Sequence, residues 1–312
     1  MRVIIVCSYN NHQVSPFIAE PAELMIRSGI SIRYFLIQGK GIRGYIKNLV
    51  LLKKEIMEFN PDIVHAHYGF SGLLANLQRK VPVITTFHGS DINLITNRPF
   101  SVLTSLLSKS SIFISQKLYR KLIIKGRSAI IPSGVDLDLF FPVDKVEARK
   151  QLGLPIHEKL VLFAGSFDNR IKNYPLAKAA TDSLNNVRLI EMKGYKRKEV
   201  ALLMNACDMA LLTSIHEGSP QFIKEAMACN RPVVSTDVGD VKNIFGNVAG
   251  CFITTQDKTD IADKIKLAFE FSNTKDGRQR IMDLGMDLKN VTTRVLEVYN
   301  SVLKNRGRNG QK

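Results

Sequence analysis

The sequence has little of what marks a membrane, metal-binding or redox protein. Its longest apolar runs, VIIV at 3–6 and LVLL at 49–52, fall far short of the ~20 residues that a membrane-spanning helix needs. The four cysteines include no C-x-x-C pair, so neither a zinc site nor a redox motif is indicated, and we expect buried thiols. The opening residues, MRVIIVCSYNN, fit a first β-strand better than a signal peptide. We therefore expect a cytoplasmic globular protein with no metal ion.

Acidic residues are also scarce. The chain has 44 Lys and Arg against 28 Asp and Glu, a net charge of +16, and no acid occurs between Ile92 and Val135. No nucleic-acid-binding motif accompanies this charge, so we predict no nucleic-acid partner, whereas phosphorylated substrates or an anionic membrane surface fit it equally well. The run QKLYRKLIIKGR at 116–127 predicts a basic helix. Such a helix either rests on anionic lipid, at the cytoplasmic face of a membrane, or is simply solvated.

Strand-like and helix-like segments alternate along the chain, and the alternation starts afresh near the middle. Helical patterns at 16–28, 45–59 and 69–79 separate the first strands. The predicted strands are 2–7, 31–38, 62–67, 82–87, 111–115 and 129–133, then 159–166, 187–194, 209–214, 232–237 and 249–254. Short apolar strands joined by helices predict right-handed crossovers and parallel sheets. The predicted fold is therefore α/β, with two facing Rossmann-like, doubly wound domains and a ligand cleft at the C-terminal ends of their strands.

The length of the chain also predicts two domains. We place the boundary near Pro142, so that residues 1–142 form the N-terminal domain and 143–290 the C-terminal domain. An amphipathic helix at 291–304 is predicted to pack back on the N-terminal domain. The basic residues 305–312 are predicted to be a disordered tail.

The segment GKGIRG at 39–44 matches the G-x-G-x-x-G pattern of dinucleotide-binding loops. A dinucleotide site needs this pattern after the first strand of a domain and an acid at the end of the next strand. Here the pattern follows the second strand, and the next strand ends in His65 and His67, with its acid, Asp62, at the opposite end. We interpret the segment as a basic, solvent-facing turn or as a loop that meets an acceptor substrate.

The strongest chemical signal lies in HEGSPQFIKEAMACNRPVV at 216–234. A helix is predicted to begin at Pro220 with Ser219 as its N-cap. Two glutamates then flank a helix N-terminus, whose N–H groups and dipole favour an anion. A glutamate here can accept hydrogen bonds from the vicinal hydroxyls of a ribose or hexose. The alternative is that Lys224 and Glu225 form the solvated face of an amphipathic helix.

With these segments in place, the sequence resembles a family 4 glycosyltransferase of the GT-B fold over nearly its whole length. The E-x7-E pattern from Glu217 to Glu225, followed by AMACNRPVV, matches the family's most specific signature. The segments that agree in order and spacing are DIVHAHYGFSG at 62–72, TFHGSD at 86–91, IPSGVDLDLFFP at 131–142 and LFAGSFDNRIKN at 162–173. The resemblance implies retaining transfer of a sugar from a nucleotide-sugar donor, without a metal ion or other cofactor.

The resemblance also implies roles for single residues. Glu225 would hold the donor ribose, and Lys172 would bind the diphosphate. His88 would face the donor sugar from the N-terminal domain and Glu217 would contact that sugar or the acceptor, so these two are the implied catalytic residues. The remaining donor-side residues are Arg170, Tyr195, Gly218, Ser219, Gln221 and Phe222.

Three positions depart from the family pattern. Ser166 stands where the family has an arginine, and Arg170 is the candidate to replace it. Pro220 has no N–H where many relatives donate one. The first loop, SYNNHQVSP at 8–16, lacks the glycines that approach a donor phosphate. Its polar side chains suit a sugar-like acceptor instead, namely Asn10, Asn11 and His12.

The candidate histidines and basic residues of the site also have a simpler interpretation. His88 is alternatively an ordinary loop residue, and Arg170 and Lys172 a solvated basic loop. His65 and His67 share one strand face, but no carboxylate or cysteine stands at a spacing that would complete a metal site. We expect these two histidines to pack within the fold.

The leading hypothesis is a retaining glycosyltransferase that moves a sugar from a nucleotide-diphosphate sugar to a glycan or a lipid-linked saccharide, with UDP favoured over GDP. Transfer would be a front-face substitution in which the leaving phosphate oxygen helps to deprotonate the acceptor. The alternatives are a catalytically silent module that binds nucleotide or glycan, a sugar-nucleotide epimerase and, last, an NAD oxidoreductase.

Overall fold

The chain forms two α/β units in a computed structural model. The structure describes residues 1–8, 14–39, 41–271, 273–274 and 276–309, with the backbone alone at 41–43, 45–46 and 306–309. Contacts divide the chain into unit 1, Met1–Gly134 with Leu288–Lys312, and unit 2, Val135–Asp287. The division falls after Gly134 rather than at Pro142, because Val135 and Phe140 are fully buried in the core of unit 2.

Unit 1 contains a six-stranded parallel sheet in the order β2-β1-β3-β4-β5-β6. Its strands are β1 Arg2–Ser8, β2 Ser31–Ile37, β3 Ile63–His67, β4 Val83–Phe87, β5 Ser110–Phe113 and β6 Ser128–Ile130. Its first helices are α1 Pro16–Arg27, α2 Gly41–Phe59, α3 Gly69–Asn76, α4 Ser90–Asn93, α5 Arg98–Leu107 and α6 Gln116–Lys121. Both faces of this sheet are covered, which explains the unbroken apolar run of β1. Val3 and Ile5 pack with α1, whereas Ile4 and Val6 pack with α2.

Unit 2 contains a five-stranded parallel sheet in the order β11-β10-β9-β7-β8. Its strands are β7 Lys159–Phe163, β8 Val187–Ile190, β9 Met209–Leu212, β10 Val233–Thr236 and β11 Cys251–Thr254. Its helices are α7 Lys145–Leu152, α8 Tyr174–Thr181, α9 Arg197–Ala206, α10 Gln221–Ala228, α11 Val241–Phe245, α12 Lys258–Phe269 and α13 Gly277–Asp283. Local sequence sets some boundaries, since Asp144 caps the N-terminus of α7 and Gly153, in the left-handed region, ends it.

The strand orders place a topological switch point in each sheet. In unit 2, β7 pairs with β8 on one side and with β9 on the other, so successive connections leave in opposite directions. The same reversal occurs around β1 in unit 1. Sheets of this kind bind ligands beyond the strand C-termini at that point. The loops after β7 and β9 are therefore where unit 2 should carry its chemistry.

The predicted strands are all present, and the predictions for the last helix and for the basic run at 116–127 need correction. The last helix, α14 Leu288–Asn309, buries Val295 and Tyr299 in the core of unit 1 beside β1. It runs through much of the predicted disordered tail, and residues 310–312 lie outside the described part. The basic run at 116–127 is not one helix, because α6 ends at Lys121. Leu122 then takes an extended conformation and is buried in the core.

No helix in the described ranges is long and apolar enough to cross a membrane. The G-x-G-x-x-G segment lies at the start of α2, which begins at Gly41 rather than at residue 45. Gly39, just before it, has a φ of +86°. That left-handed backbone conformation favours glycine, which accounts for one glycine of the pattern without any nucleotide.

Candidate functional site

The loop after β9 carries Glu217 and fixes its carboxylate with two donors. Lys172 Nζ and Ser214 Oγ lie 2.7 Å and 2.8 Å from Glu217 Oε1. Both Lys172 and Glu217 are about one-fifth exposed, so the pair stays reachable from solvent. The structure thus brings together two of the predicted site residues, at the switch point between β7 and β9.

The position of Lys172 follows from the backbone around it. Its aliphatic stem crosses Gly165, which has a φ of +133° and whose added β-carbon would lie 3.4 Å from Lys172 Cγ. Thr213 Oγ1 donates to the carbonyl of Lys172 at 2.8 Å, and the N–H of Ile215 donates to that of Ile171 at 2.9 Å. The loops after β7 and β9 are therefore tied to each other, and Lys172 lies in a fixed place.

Ser166, which stands where the family has an arginine, contacts two carboxylates. Ser166 Oγ donates to Asp168 and lies 3.1 Å from Glu191 Oε1, which accepts from the N–H of Phe167 at 2.6 Å. Arg170 is exposed and belongs to the same short 3-10 turn as Lys172. That placement keeps Arg170 as the candidate cation for a second phosphate contact.

Helix α10 begins one residue later than predicted. It spans Gln221–Ala228, Pro220 occupies the N-cap position, and no side chain caps it. Ser219 is not the N-cap, because its hydroxyl donates to Asp240 at 2.8 Å in the loop after β10. The N–H groups of the first turn, at Gln221 and Phe222, still form the kind of site that accepts an anion.

The loop after β10 also fixes Gly218. Gly239 has a φ of +57°, and a β-carbon added there would lie only 2.8 Å from the carbonyl oxygen of Gly218. Glycine is needed here both for its backbone conformation and for this close approach. Gly218 and Ser219, both predicted donor-side residues, are thus held by Gly239 and Asp240.

Glu225 is buried and paired. Its side chain is 3 % exposed, and its Oε1 lies 2.7 Å from Nη2 of Arg197 at the start of α9. The neighbouring Lys224 is fully buried, which lowers its pKa to about 8, with Asp240 and Glu225 acting in the opposite direction. The alternative in which Lys224 and Glu225 form a solvated helix face is therefore wrong.

Arg197 is a functional candidate that the sequence did not single out as a partner of Glu225. Its guanidinium group lies 4.4 Å from the ring centre of Phe140, which holds it over the carboxylate. It follows the loop of Gly194, which has a φ of +90°, and of Tyr195, which packs half-buried against the core. Nothing in the local sequence links Arg197 to Glu225, since the contact depends on packing of α9 beside α10.

His88 lies at the end of β4 in unit 1, within a group of aromatic rings. Its Nε2 is 2.9 Å from Nδ1 of His67, and the rings of Phe17 and Tyr68 lie 4.8 Å and 4.7 Å from it. Burial lowers the pKa of His88 to about 3, with His65 acting in the same direction. The imidazole is therefore neutral at any ordinary working pH.

The backbone beside His88 is fixed by Asp91. The N–H groups of His88 and Gly89 donate to its carboxylate at 3.2 Å and 2.8 Å. Burial raises the pKa of Asp91 to about 6, although these backbone hydrogen bonds lower it. The loop that presents His88 is thus held by a carboxylate only three residues away.

The two histidines of β3, His65 and His67, are buried and pack within the fold as expected. His65 Nδ1 lies 2.6 Å from the hydroxyl of Tyr299, and its Nε2 lies 2.7 Å from Thr86 Oγ1. Within the described ranges, no three His, Cys, Asp or Glu residues stand close enough to hold a metal ion. The predicted acceptor-side residues Asn10, Asn11 and His12 lie outside the described residues.

Two family models match this chain, one in each unit. The model of Glycosyltransferase Family 4 matches residues 3–139, and that of group 1 glycosyl transferases matches residues 155–270. The chain is 26 % identical to the Bacillus subtilis protein TuaC, named for teichuronic acid biosynthesis, over 250 residues. The alignment covers 70 % of this chain and 64 % of TuaC, so the chain spans less than two thirds of that relative's length.

Solved structures agree on the fold. The sucrose-phosphate synthase of Thermosynechococcus elongatus has a TM-score of 0.83 at 16 % identity, covering 97 % of this chain and 99 % of that one. HepE of Anabaena, solved in complex with UDP and glucose, has a TM-score of 0.76 at 18 % identity, covering 96 % and 100 %. These neighbours are GT-B proteins, and the two family models together cover most of both units. The chain therefore belongs to the family 4, or group 1, glycosyltransferases, and it has their GT-B fold.

Proposed function

We propose that the protein transfers a sugar, with retention, from a nucleoside diphosphate sugar to a glycan or a lipid-linked saccharide, and that UDP is its nucleotide. The observation that carries this proposal is the ion pair of Lys172 and Glu217 at the switch point of unit 2. A cation and a carboxylate lie there beside the N-terminus of α10. A diphosphate needs the cation and the N–H groups of the helix, and a sugar hydroxyl needs the carboxylate as a hydrogen-bond acceptor.

The diphosphate is assigned to Lys172 and to the first turn of α10. Its oxygens compete with Glu217 for the ammonium group, and the N–H groups of the helix supply further donors. Glu217 keeps its hydrogen bond from Ser214, so its carboxylate remains in place to accept from a sugar hydroxyl. Charge that develops on the leaving diphosphate is stabilised by the same cation.

The ribose is assigned to Glu225. A buried carboxylate that already has a cationic partner in Arg197 can accept hydrogen bonds from vicinal hydroxyls without the full cost of desolvation. Each such bond contributes roughly 1.5–3 kcal/mol. The base is assigned to the loop of Gly194 and Tyr195, through its backbone groups.

His88 is assigned to the donor sugar. A neutral imidazole can bond a sugar hydroxyl and does not oppose the positive charge that develops at the anomeric carbon. The acceptor oxygen forms its bond to that carbon on the face from which the diphosphate leaves. The acceptor's proton passes to the departing phosphate oxygen, so no enzyme nucleophile is needed.

Two comparisons support the choice of ligands. HepE was solved with UDP and glucose, and TuaC is named for teichuronic acid biosynthesis. A polymeric or lipid-linked acceptor also agrees with a net charge of +16, because such acceptors are often anionic.

The test is calorimetric titration with UDP, GDP and NADH, followed by turnover of the UDP-hexoses. We expect UDP to bind, and Glu225→Ala and Lys172→Ala to weaken its binding at least tenfold. Lys178→Ala, which removes an exposed lysine of α8 in the same unit, is the matched control. Binding of NADH alone, or equal UDP binding by all variants, would overturn the donor assignment.

Turnover separates the remaining alternatives. Release of UDP from one UDP-hexose, accelerated by a saccharide acceptor, is the expected result. Conversion of the sugar without release of UDP would make the protein an epimerase. UDP binding with no turnover of any UDP-hexose would leave a catalytically silent module.

A further inference from the structure

We propose that unit 1 carries a second anion site, for a phosphate-bearing ligand, at the sheet edge opposite the strand C-termini. A groove of about 660 Å³ lies there, at the N-terminal ends of β4, β5 and β6. Its walls carry four cations and no acid, the cations being Arg79, Lys80, Lys109 and Arg127. This site does not depend on the function proposed for unit 2.

The sheet itself sets the spacing of these cations. Lys109 directly precedes β5 and Arg127 directly precedes β6, and these strands pair in parallel. The N–H of Lys109 donates to Val83 and the carbonyl of Arg127 accepts from Ser111, both at 2.8 Å. The register pairs Ser111 with Ser128, so Lys109 lies one residue further out than Arg127, on adjacent strands about 4.8 Å apart and at the same edge of the sheet. His88 lies at the other end of β4, about 17 Å away.

The cations lack acidic partners. All four are exposed, and no carboxylate in the described part of the chain lies within ion-pair distance of them. Elsewhere on the surface, exposed lysines such as Lys178 and Lys193 do pair with nearby aspartates. Four like charges around one groove repel each other, and an anion that binds between them offsets this repulsion.

Hydrogen bonds of a buried glutamine side chain hold the loop that carries Arg79 and Lys80. Gln78 Oε1 accepts from the N–H groups of Lys80 and Val81 at 2.8 Å and 2.9 Å, and its Nε2 donates to the Val81 carbonyl at 2.6 Å. Gln78 is itself 4 % exposed. Arg79 has a φ of +61°, a conformation that costs a non-glycine residue free energy. The hydrogen bonds of Gln78 hold that conformation and fix the direction of the loop.

A simpler role for these cations is to stabilise helix ends. Helices α3 and α5 both end beside the groove, and each C-terminus carries about half a negative charge. Four positive charges exceed about one negative charge by a wide margin. Helix ends alone therefore do not account for the number of cations, and the excess favours a ligand with more than one negative charge.

Phosphate is the anion that fits best. Guanidinium groups bind its oxygens in pairs, and lysines add point charges. A groove of this volume has room for a ligand with more than one phosphate. Such a ligand is either free in solution or the headgroup of an anionic phospholipid.

The test is titration with inorganic pyrophosphate at low ionic strength, in a Lys172→Ala background that removes the donor-side cation. We expect one pyrophosphate to bind, and Arg79→Ala with Lys109→Ala to weaken binding about tenfold or more. Arg79→Lys with Lys109→Arg should restore most of it. Lys47→Ala with Lys53→Ala, an equal loss of exposed charge on α2 of the same unit, is the matched control and should change it little.

Equal weakening by both double variants would overturn the site, since it would show only general attraction to a basic surface. A lower melting temperature with unchanged pyrophosphate binding would also overturn it, in favour of the helix-end role. Binding to vesicles of phosphatidic acid with phosphatidylcholine, measured in a Lys117→Ala and Arg120→Ala background that weakens the other basic surface, on α6, separates the two sources. Loss of vesicle binding in the Arg79 and Lys109 variant assigns a lipid headgroup, and its retention, with pyrophosphate binding lost, assigns a free phosphate ligand.

Discussion

Arg197 Nη2 lies 2.7 Å from Glu225 Oε1, and this ion pair joins the start of α9 to the second turn of α10 in unit 2. Glu225 is almost fully buried, whereas Arg197 is 26 % exposed and also contacts the ring of Phe140. A buried carboxylate is tolerated only with such a partner. The pair therefore stabilises the fold and at the same time fixes the group assigned to the ribose.

The first prediction concerns this pair. Arg197→Ala should lower the free energy of unfolding by about 3 kcal/mol, near the lower end for a broken buried pair because Arg197 is partly exposed. Lys178→Ala, which breaks the exposed pair with Asp182, should change it little, because solvent screens an exposed pair. Urea unfolding measures both. Similar values for the two variants would show that burial does not strengthen the Arg197–Glu225 pair.

The second prediction separates Lys172 from Glu217. Lys172→Met should raise the Kd for UDP about 10- to 100-fold, since a charge-assisted contact to the diphosphate is lost. Glu217→Gln should leave the Kd for UDP within about threefold, because the carboxylate is assigned to the sugar, but should slow transfer at least tenfold. Calorimetry gives the first result and UDP release the second. An equal loss of UDP affinity in both variants would contradict the division of roles.

The third prediction uses two glycines with similar backbone angles. Gly239 and Gly153 have φ values of +57° and +64°, but only Gly239 approaches another chain segment, at 2.8 Å from Gly218. Gly153→Ala should cost about 1 kcal/mol of stability from backbone strain alone. Gly239→Ala should cost more and should also weaken UDP binding, because the added β-carbon displaces Gly218. Unchanged UDP affinity in Gly239→Ala would separate this loop from donor binding.

The fourth prediction concerns stability against pH. Burial lowers the pKa of His65 and His88 to about 3, and that of His67 also falls well below its usual value. The unfolded chain therefore takes up protons below about pH 6.5 that the folded chain does not, and stability falls as the pH falls from 6.5 towards 3. Asp91, with a pKa raised to about 6, acts in the opposite sense between about pH 6 and 4.

The variant His65→Gln removes the contribution of one histidine to this dependence of stability on pH. Each histidine contributes a slope of about 1.4 kcal/mol per pH unit, so the variant should show a dependence weaker by that amount between pH 6 and 4. Urea unfolding at several pH values measures the slope. Equal slopes of the unfolding free energy against pH in the wild type and the variant would mean that folding does not lower the pKa of His65.

The fifth prediction concerns the membrane. Lys117, Arg120 and Lys121 are exposed on α6, and beyond its end Ile123 and Ile124 are 87 % and 62 % exposed. We propose that these residues rest on anionic lipid. Substituting the three cations by Glu should abolish binding to phosphatidylglycerol vesicles, measured by co-sedimentation.

The controls separate charge from apolar contact. Lys150→Glu, Lys198→Glu and Lys258→Glu make the same change of net charge on unit 2 and should leave vesicle binding largely intact. Ile123→Ser with Ile124→Ser should make the remaining binding more sensitive to salt, because electrostatic attraction alone is screened. Unchanged binding in the α6 variant would rule out this surface.

Much of the protein is determined by its sequence alone. The strands appear as short apolar runs because parallel sheets covered on both faces require them, and every predicted strand is present. The E-x7-E segment and its companions identified the family that the comparisons show. The loop residues Lys172 and Glu217 were also named as site residues from that resemblance, and the structure places them in contact.

Tertiary contacts decided the rest. Ser219 was predicted to be an N-cap, but its hydroxyl donates to Asp240. Lys224, which the alternative interpretation placed in solvent, is fully buried because neighbouring segments of unit 2 cover most of α10. The partner of Glu225 is Arg197, on another helix, and the last helix completes the core of unit 1 far from its own neighbours in the chain. Local patterns report periodicity and capping, whereas these partners come together only when distant segments pack.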